Sequence, residues 1–222
     1  MTSTKKIAIL LYRYFPYGGL QKDFLEVAKE LKSREIKFKV FTRKWEGVVP
    51  EGFEVKEIRK RGLTNFSKNK NFVKDSYEAL QEYDPDLVFG FNKMPGLDLY
   101  FAADTCFKKE ALNKNPLIKF TRRFKQSVEF EKAVFESNSS TEVFLLNKKQ
   151  ADDFKSAYQL NPHQMTLIPP GIDLNWSDHK PIEIHNIFKI PTKDKVALFV
   201  GSDFSRKGLD RAISSIHFLN TN

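Results

Sequence analysis

Short apolar runs alternate with segments of helical period along most of the chain. Apolar residues recur at helical spacing in residues 20–31 and 72–83. The runs of strand length are KIAILLY, FKVFT, FEVKEI, DLVFGF, EVFLL, MTLIP and VALFVG. This alternation predicts a parallel sheet with crossover helices. Because the strands are apolar on both faces, we expect helices on both sides of the sheet. The predicted fold class is α/β and doubly wound.

The composition changes after two consecutive prolines, Pro169 and Pro170. Residues 171–195 are rich in polar clusters and prolines, which is typical of a linker. A second unit is predicted at 196–222, with strand VALFVG, loop SDFSRKG and a helix over residues 209–219. One strand and one helix cannot bury a core, so this second domain is expected to be incomplete. The predicted domains are 1–170 and 196–222.

Composition and net charge exclude several classes of protein and indicate the kind of partner. The 41% hydrophobic content excludes a disordered chain. A single cysteine, Cys106, excludes an internal disulfide framework and favours a reducing compartment such as the cytosol. No apolar run approaches the roughly 20 residues that span a bilayer. The net charge of +9 indicates acidic partners, which include nucleic acid, anionic lipid and phosphorylated metabolites. No nucleic-acid-binding motif accompanies the charge, so nucleic acid is not expected.

Two adjacent glycines, Gly18 and Gly19, stand between the first strand and the first predicted helix. Free N–H groups at a helix start bind anions, and glycines leave them accessible. A plain strand-to-helix turn explains the same pair. Asp23 is placed in the first turn of this helix, where its charge suits the dipole or points into a cleft.

Further polar residues are predicted at strand ends and helix starts. Arg206 and Lys207 in SDFSRKG lie at a predicted helix start, where cations are disfavoured unless an anion such as a diphosphate binds. A solvated pair at a frayed helix end is the alternative. Strand DLVFGF is followed by NKMPGLD, at the edge where open α/β sheets bind ligands. Its candidate residues are Asn92, Lys93, Asp98 and, further on, Asp104, although an ordinary turn and a helix cap account for the same residues.

Five stretches together resemble the lipopolysaccharide core glucosyltransferase I family, which are retaining enzymes of the GT-B class: YFPYGGLQKD, KWEG, GFNKMPGLDLYFAADTC, IPPGID and GSDFSRKGLDR. The resemblance implies two Rossmann-like domains, of which this chain has the N-terminal one plus the first strand and helix of the second. It also implies transfer of glucose from the co-substrate UDP-glucose to an inner-core heptose of lipid-linked lipopolysaccharide. The expected location is cytoplasmic, peripheral at the inner face of the inner membrane.

The resemblance assigns roles to residues of this chain. Gly18 and Gly19 match a loop beside the donor phosphates, and Asp23 and Asp104 match carboxylates near the transferred sugar and the acceptor. Arg206 and Lys207 match a basic pair that neutralises the departing diphosphate, so no metal or other cofactor is expected. No histidine occurs in FAADTC, where many retaining GT-B enzymes carry one, and the family's paired glutamates lie in a part of the C-terminal domain that this sequence lacks.

The segment 108–128 is predicted to bind anionic membrane through a basic amphipathic helix. Asn115 and Pro116 are its expected N-cap and first residue. Lys119, Arg122 and Arg123 are expected opposite an apolar stripe. A stripe packed on the domain, with solvated cations, is the alternative.

Two other functions stay open at the level of sequence. One is a catalytically empty fragment that binds acceptor or membrane, and the other is a retaining GT-B enzyme for another nucleotide sugar. The chain of 222 residues is itself expected to show no measurable glucosyl transfer.

Overall fold

The computed structural model describes residues 5–58, 61–171, 183–201 and 204–219, with the side chains of Arg206 and Leu219 excepted. It divides into two compact units, Met1–Gly171 and Ile172–Asn222. Each unit is described by itself. The finer division into a domain 1–170, a linker 171–195 and a second domain 196–222 stays a prediction.

The first unit contains a seven-stranded, fully parallel sheet with the order β3-β2-β1-β4-β5-β6-β7. Its strands are β1 (Lys6–Leu11), β2 (Lys37–Thr42), β3 (Glu54–Glu57), β4 (Leu87–Gly90), β5 (Leu99–Ala102), β6 (Glu142–Leu145) and β7 (Met165–Leu167). The predicted α/β class with a parallel sheet is confirmed.

Helices cover both faces of the sheet. Alternate residues of a strand point to opposite faces, so neighbouring residues of β1 pack against different helices. Ile9 and Leu11 pack in one core cluster with residues of α1, whereas Ala8 and Leu10 pack in another with residues of α2, α4 and α5. The α-helices of this unit are α1 (Gly19–Ser33), α2 (Asn65–Tyr83), α3 (Phe107–Lys114), α4 (Arg122–Phe135) and α5 (Lys148–Ala157). Two 3-10 turns span Pro116–Phe120 and Pro162–Gln164.

Helix α2 begins seven residues before the predicted start, at Asn65 rather than 72. Thr64 caps it: its hydroxyl accepts from the Ser67 N–H, and the Ser67 side chain bonds back to the Thr64 backbone. This capping box stabilises the helix start. The extra turns are polar, so hydrophobic spacing alone did not indicate them.

Strand β5 was missed from the sequence, since LYFA was not counted among the apolar runs of strand length. It pairs with β4 after a connection, residues 91–98, that contains no helix. Met94 and Leu97 of that connection are buried in the core and cover the sheet face themselves. Gly90 makes room for them, because a Cβ there would lie 2.3 Å from Leu97 Cδ1.

The second unit contains α6 (Ile184–Phe188), α7 (Phe204–Lys207) and α8 (Leu209–Leu219) in its described ranges. The helix predicted over 209–219 is therefore confirmed. The strand predicted for VALFVG does not form in the described part of the unit. A strand needs a hydrogen-bonded neighbour, and Leu198 and Val200 are instead 76% and 80% exposed.

Candidate functional site

Polar side chains from three strand ends meet at the carboxyl edge of the sheet. Tyr12 follows β1, Asn92 and Lys93 follow β4, and Asp104 follows β5. These residues line a cavity of about 300 Å³ together with residues of α2, α3 and α4. The carboxyl edge is where parallel α/β sheets place ligands, and it is where sequence reasoning expected this site.

Tyr12 links the ends of β1 and β4. Its backbone N–H donates to Asn92 Oδ1 at 2.7 Å, and its hydroxyl donates to the Lys93 carbonyl at 3.1 Å. Its ring meets Phe72 of α2 edge-on, with 5.5 Å between centroids. Burial raises the pKa of the Tyr12 hydroxyl well above its ordinary value. The hydroxyl therefore stays protonated and serves as a hydrogen-bond donor.

Lys93 is held in a buried ion pair. Its Nζ lies 2.6 Å from Glu131 Oε1 and 2.7 Å from the Thr105 carbonyl oxygen. The side chain of Lys93 is only 11% exposed. Lys93, a candidate ligand residue in the sequence, thus also fixes the loop after β4, and its charge is neutralised by Glu131.

Glu131 is 1% exposed and accepts four hydrogen bonds. Besides Lys93, the donors are the Phe107 N–H at 2.7 Å, the Lys108 N–H at 2.9 Å and the Tyr158 hydroxyl at 2.7 Å. A carboxylate that receives the first N–H groups of a helix stabilises that helix start. Burial, reinforced by Glu131, raises the pKa of Tyr158, which stays a donor. Glu131 therefore ties α3 and α4 to the loop after β4.

Asp104 has a fixed backbone and a free side chain. The buried side chain of Gln150 donates from Nε2 to the carbonyls of Ala102 and Asp104, at 2.6 and 2.8 Å. The carboxylate of Asp104 is exposed and has no hydrogen bond or ion pair within the described ranges. This is the arrangement expected of a group that meets a ligand.

The two glycines differ in what surrounds them. Gly18 is the N-cap of α1, and a Cβ there would lie 1.8 Å from Gln21 Oε1 and 2.9 Å from Phe15 Cε2. Gln21 is held in place, because its Nε2 donates to the Arg13 carbonyl at 3.0 Å. Gly19 begins α1, and a Cβ there would meet nothing within 4 Å. Packing within the chain explains Gly18, whereas the space at Gly19 is open to a ligand.

Two predicted site carboxylates lie apart from the cavity. Asp23 is exposed and is the fifth residue of α1, beyond its first turn, so the predicted position is corrected. Partial burial raises the pKa of Asp23, with Lys22 opposing the shift. Asp98 precedes β5, and its Oδ2 accepts from the Val88 N–H at 2.7 Å, so it joins β4 to the amino end of β5.

The predicted basic pair lies in the second unit. Arg206 and Lys207 end the short helix α7, and Gly208, at φ +81°, separates them from α8. Cations are favoured at the end of a helix, which is where Arg206 and Lys207 lie in α7. They are disfavoured, as predicted from the sequence, only by the start of the next helix, α8. Lys207 is exposed, and the side chain of Arg206 lies outside the described residues.

The amphipathic helix predicted to start after Asn115 is wrong as one element. Helix α3 ends at Lys114, a 3-10 turn spans Pro116–Phe120, and α4 starts after a new N-cap, Thr121. Asn115 and Pro116 are N-cap and first residue as predicted, but of the 3-10 turn. Pro116 separates α3 from the 3-10 turn, because a proline disfavours helical backbone in the residue before it. The extended backbone of Thr121 then separates that turn from α4.

The break at Thr121 divides the apolar stripe of that region. Leu117 and Phe120 are 70% and 69% exposed, whereas Phe124 is buried against Phe107, with 5.9 Å between ring centroids. The exposed members, with the cations beside them, form what we call the basic-aromatic patch: Leu117, Lys119, Phe120, Arg122 and Arg123. Three cations without a carboxylate partner in the described ranges and two apolar side chains thus share one exposed segment, in which the Lys119 ammonium lies 5.2 Å from the Phe120 ring centroid.

Sequence reasoning missed several residues of the site. Tyr12 was counted as the end of a strand, and Asn69 lies in the polar turns of α2 that were not predicted. Glu131 left a signal, since in FEKAVF it lies three and four residues before Val134 and Phe135, on the apolar side of the helix. Gln150 left none, because an amide in a surface helix is ordinary.

The described ranges contain no helix that is long and apolar enough to cross a membrane. In the same part of the chain, no three His, Cys, Asp or Glu side chains are grouped so as to hold a metal ion.

With this geometry, the comparison with known proteins defines the class. Residues 17–176 match Glycosyltransferase Family 4, and the chain belongs to that family. The chain is 40% identical over 217 residues to the lipopolysaccharide glucosyltransferase WaaG of Escherichia coli K12, covering 95% of this chain. A crystal structure of WaaG, a glycosyltransferase involved in lipopolysaccharide biosynthesis, superposes with a TM-score of 0.86 at 39% identity over 94% of this chain. The predicted GT-B-like architecture and the WaaG-like family assignment are confirmed.

A more distant structure shares the fold. A glycosyltransferase from Rickettsia africae matches with a TM-score of 0.51 at 15% identity, over 86% of this chain and 51% of its own. The chain spans 58% of the length of WaaG, in both the sequence and the structure comparison.

Proposed function

We propose that this chain forms the acceptor side of a retaining glycosyltransferase that moves glucose from UDP-glucose to a heptose of lipid-linked lipopolysaccharide core. The observation that carries the proposal is the 40% identity to WaaG over 95% of the chain. In the reaction, an acceptor hydroxyl oxygen bonds to C1 of glucose, the bond from C1 to the UDP oxygen breaks, and the hydroxyl proton is released.

Asp104 is the residue best placed to receive the acceptor. Its carboxylate is exposed at the carboxyl edge while Gln150 holds its backbone. A positioned carboxylate that accepts a hydrogen bond from the attacking hydroxyl contributes to general base catalysis. Asp23, which stands outside the cavity, is proposed to act nearer the transferred sugar.

The donor phosphates are proposed to approach Gly19. The space there is open, and the first N–H groups of α1 lie at the positive end of its dipole. Arg206 and Lys207 are proposed to neutralise the diphosphate as it leaves, without a metal. Replacement of either cation by alanine is expected to weaken UDP binding and to slow transfer.

Contact with anionic membrane is a second proposed property, favoured by the basic-aromatic patch. Cations next to an anionic surface contribute about 1 kcal/mol each, and exposed aromatic residues sit well at the interface. A lipid-linked acceptor is presented at such a surface. The proposed location is therefore peripheral, on the cytoplasmic face of the inner membrane.

Transfer is tested with this chain and with a chimera in which the part of WaaG that the chain does not cover follows Leu219. UDP release and the anomeric configuration of the product are measured with heptose-terminated lipopolysaccharide. We expect the chimera to transfer glucose with retention, and Asp104→Asn to slow it about 100-fold or more. Asp152→Asn is the matched control, since Asp152 is an exposed carboxylate of α5 that does not line the cavity.

The outcomes separate the functions left open. A folded chimera that transfers nothing from UDP-glucose contradicts the proposal. Faster transfer from another nucleotide sugar favours a related enzyme of different donor specificity. Binding of acceptor or vesicles without transfer favours a binding role.

A further inference from the structure

The cavity at the carboxyl edge has more hydrogen-bonding capacity than the chain uses. Asn69 and Ser127 line it from α2 and α4, Glu110 lines it from α3, and Asp104 lies at its β5 side. None of these four side chains has a hydrogen bond or ion pair within the described ranges. Asn92 uses its Oδ1 for the Tyr12 N–H, so its Nδ2 is left to donate. The cavity is thus equipped to bind hydroxyl groups.

Asn69 is the most informative of these residues. Its Oδ1 is fully buried and has no hydrogen-bond partner among the described residues. An unpaired buried amide lowers the stability of the folded chain, so such a group usually has a function. Because Asn69 lines the cavity, a bound ligand would supply the missing partner.

The charges of the lining residues disfavour an anionic ligand. Lys93, its one lining cation, is neutralised by Glu131 at 2.6 Å. Asp104 and Glu110 are carboxylates without a counterion in the described ranges. Arg43 stacks on the Tyr12 ring at 4.9 Å and is not a lining residue. A phosphate placed here would face two unpaired negative charges.

Resting on the proposed function, we propose that this cavity binds the neutral, hydroxyl-bearing face of the acceptor sugar, that Asn69 determines this specificity, and that the cavity rejects a phosphorylated ring. Carboxylates and amides are the groups that pair with sugar hydroxyls, since each hydroxyl both donates and accepts. A volume of about 300 Å³ is at the lower end for ligand pockets and suits a single ring.

Binding to this chain tests the proposal without any donor. Isotope-labelled protein is titrated with a methyl heptopyranoside and with the same glycoside carrying one phosphate ester, and amide shifts are followed by NMR. We expect saturable shifts around residues 12, 69 and 104 with the neutral glycoside, and at least tenfold weaker binding of the ester. Equal or tighter binding of the ester, or no saturable binding of the neutral glycoside, overturns the proposal.

Two variants and a control separate recognition from folding. Asn69→Ala is expected to weaken binding of the neutral glycoside at least tenfold, and Lys70→Ala, an exposed neighbour on α2, to leave it unchanged. Asn69→Leu replaces the unpaired amide with an apolar group of similar size. It should raise the melting temperature while abolishing binding. Unchanged binding in both Asn69 variants overturns the proposal, and so does binding that falls only in proportion to lost stability. Because UDP-glucose takes no part, failure of glucosyl transfer leaves this test intact.

Discussion

At the scale of the residue, adjacent glycines in this chain have separate reasons to be glycine. Gly18 lies against Gln21 and Phe15, so the chain's own packing requires it. Gly19 faces open space, and its backbone conformation is an ordinary helical one. The sequence shows only the pair, because the surroundings of each residue depend on where the loop packs.

We predict that alanine at the two glycines has opposite effects on stability. Gly18→Ala forces Gln21 from its bond to the Arg13 carbonyl and should destabilise the chain by about 1–3 kcal/mol. Gly19→Ala should stabilise it by up to about 1 kcal/mol, because alanine favours a helix. Urea unfolding of this chain measures both. Equal losses would show that Gly19 is also needed for packing.

A larger side chain at Gly19 separates folding from ligand approach. Gly19→Val should leave the fold intact and prevent UDP-glucose from binding. The affinity of the chimera for UDP-glucose, measured with and without the substitution, tests this.

At the scale of the element, one carboxylate organises three parts of the chain. Glu131 projects from α4 and receives the first N–H groups of α3, the Lys93 ammonium and the Tyr158 hydroxyl. The loop that carries Asp104 leads directly into α3. The position of the candidate site therefore depends on a carboxylate whose hydrogen bonds all go to the chain's own donors.

Replacing this carboxylate should be costly. Glu131→Gln leaves Lys93 as a buried, unpaired cation, and we predict a loss of about 3–5 kcal/mol in the free energy of unfolding. Glu129→Gln, an exposed neighbour on α4, is the matched control and should change stability by less than about 0.5 kcal/mol. Urea titration of both variants decides the matter, and similar losses in the two would contradict the role given to Glu131.

The basic-aromatic patch predicts membrane binding at the same scale. Replacing Lys119, Arg122 and Arg123 together by glutamine should weaken co-sedimentation with vesicles rich in anionic lipid about 100-fold, at roughly 1 kcal/mol for each cation. The control replaces three exposed lysines elsewhere, Lys22, Lys70 and Lys155, and so removes the same charge. If the two triple variants lose binding equally, net charge rather than the patch is responsible.

Most elements of the first unit follow from the sequence, because strands buried on both faces are continuous apolar runs. Six of the seven strands were predicted in this way. LYFA was missed because no helix separates it from β4, and parallel strands are normally joined by longer crossovers. VALFVG has the composition of a strand but lacks a hydrogen-bonded neighbour in the described part of its unit. Local pattern thus indicates the capacity to form a strand, and pairing decides the outcome.

The site was predicted in part. Asp104 and Asn92 were found because strand ends meet at one edge whatever the details of packing. Lys93 was found but its role was not, since its ion pair comes from a residue 38 positions away. Asn69, Glu131 and Gln150 reach the site from helices whose rotation and start are set by tertiary packing. Sequence reasoning therefore predicted the site residues at the carboxyl edge of the sheet and missed those contributed by the surrounding helices.

At the scale of the whole molecule, the net charge of +9 makes acid a strong perturbation. The pKa values of Glu46, Glu82 and Asp153 are held below their ordinary range, chiefly by hydrogen bonds from lysine ammonium groups. A lowered pKa in the folded state contributes stability that is present above the ordinary pKa and lost as pH falls through the lowered one.

We predict that the chain loses stability between about pH 5 and pH 2, as these carboxylates are protonated and positive charges accumulate. The triple variant Glu46→Gln, Glu82→Gln and Asp153→Asn should show a flatter acid limb in urea midpoints measured across this range. Salt should reduce the difference, because all three ion pairs are exposed. An acid limb as steep as that of the parent chain would assign the effect to other carboxylates.

The helix-free connection between β4 and β5 also bears on how the molecule is assembled. Residues 91–98 form the shortest link between neighbouring strands of the described sheet. Closing a short loop loses less chain entropy than closing a long one, and local contacts form early in folding. Asn92 and Lys93 lie on this link, so we expect the candidate site to take shape with the first parallel strand pair. Selection for a fast, local folding step and selection for a binding loop would then act on the same eight residues.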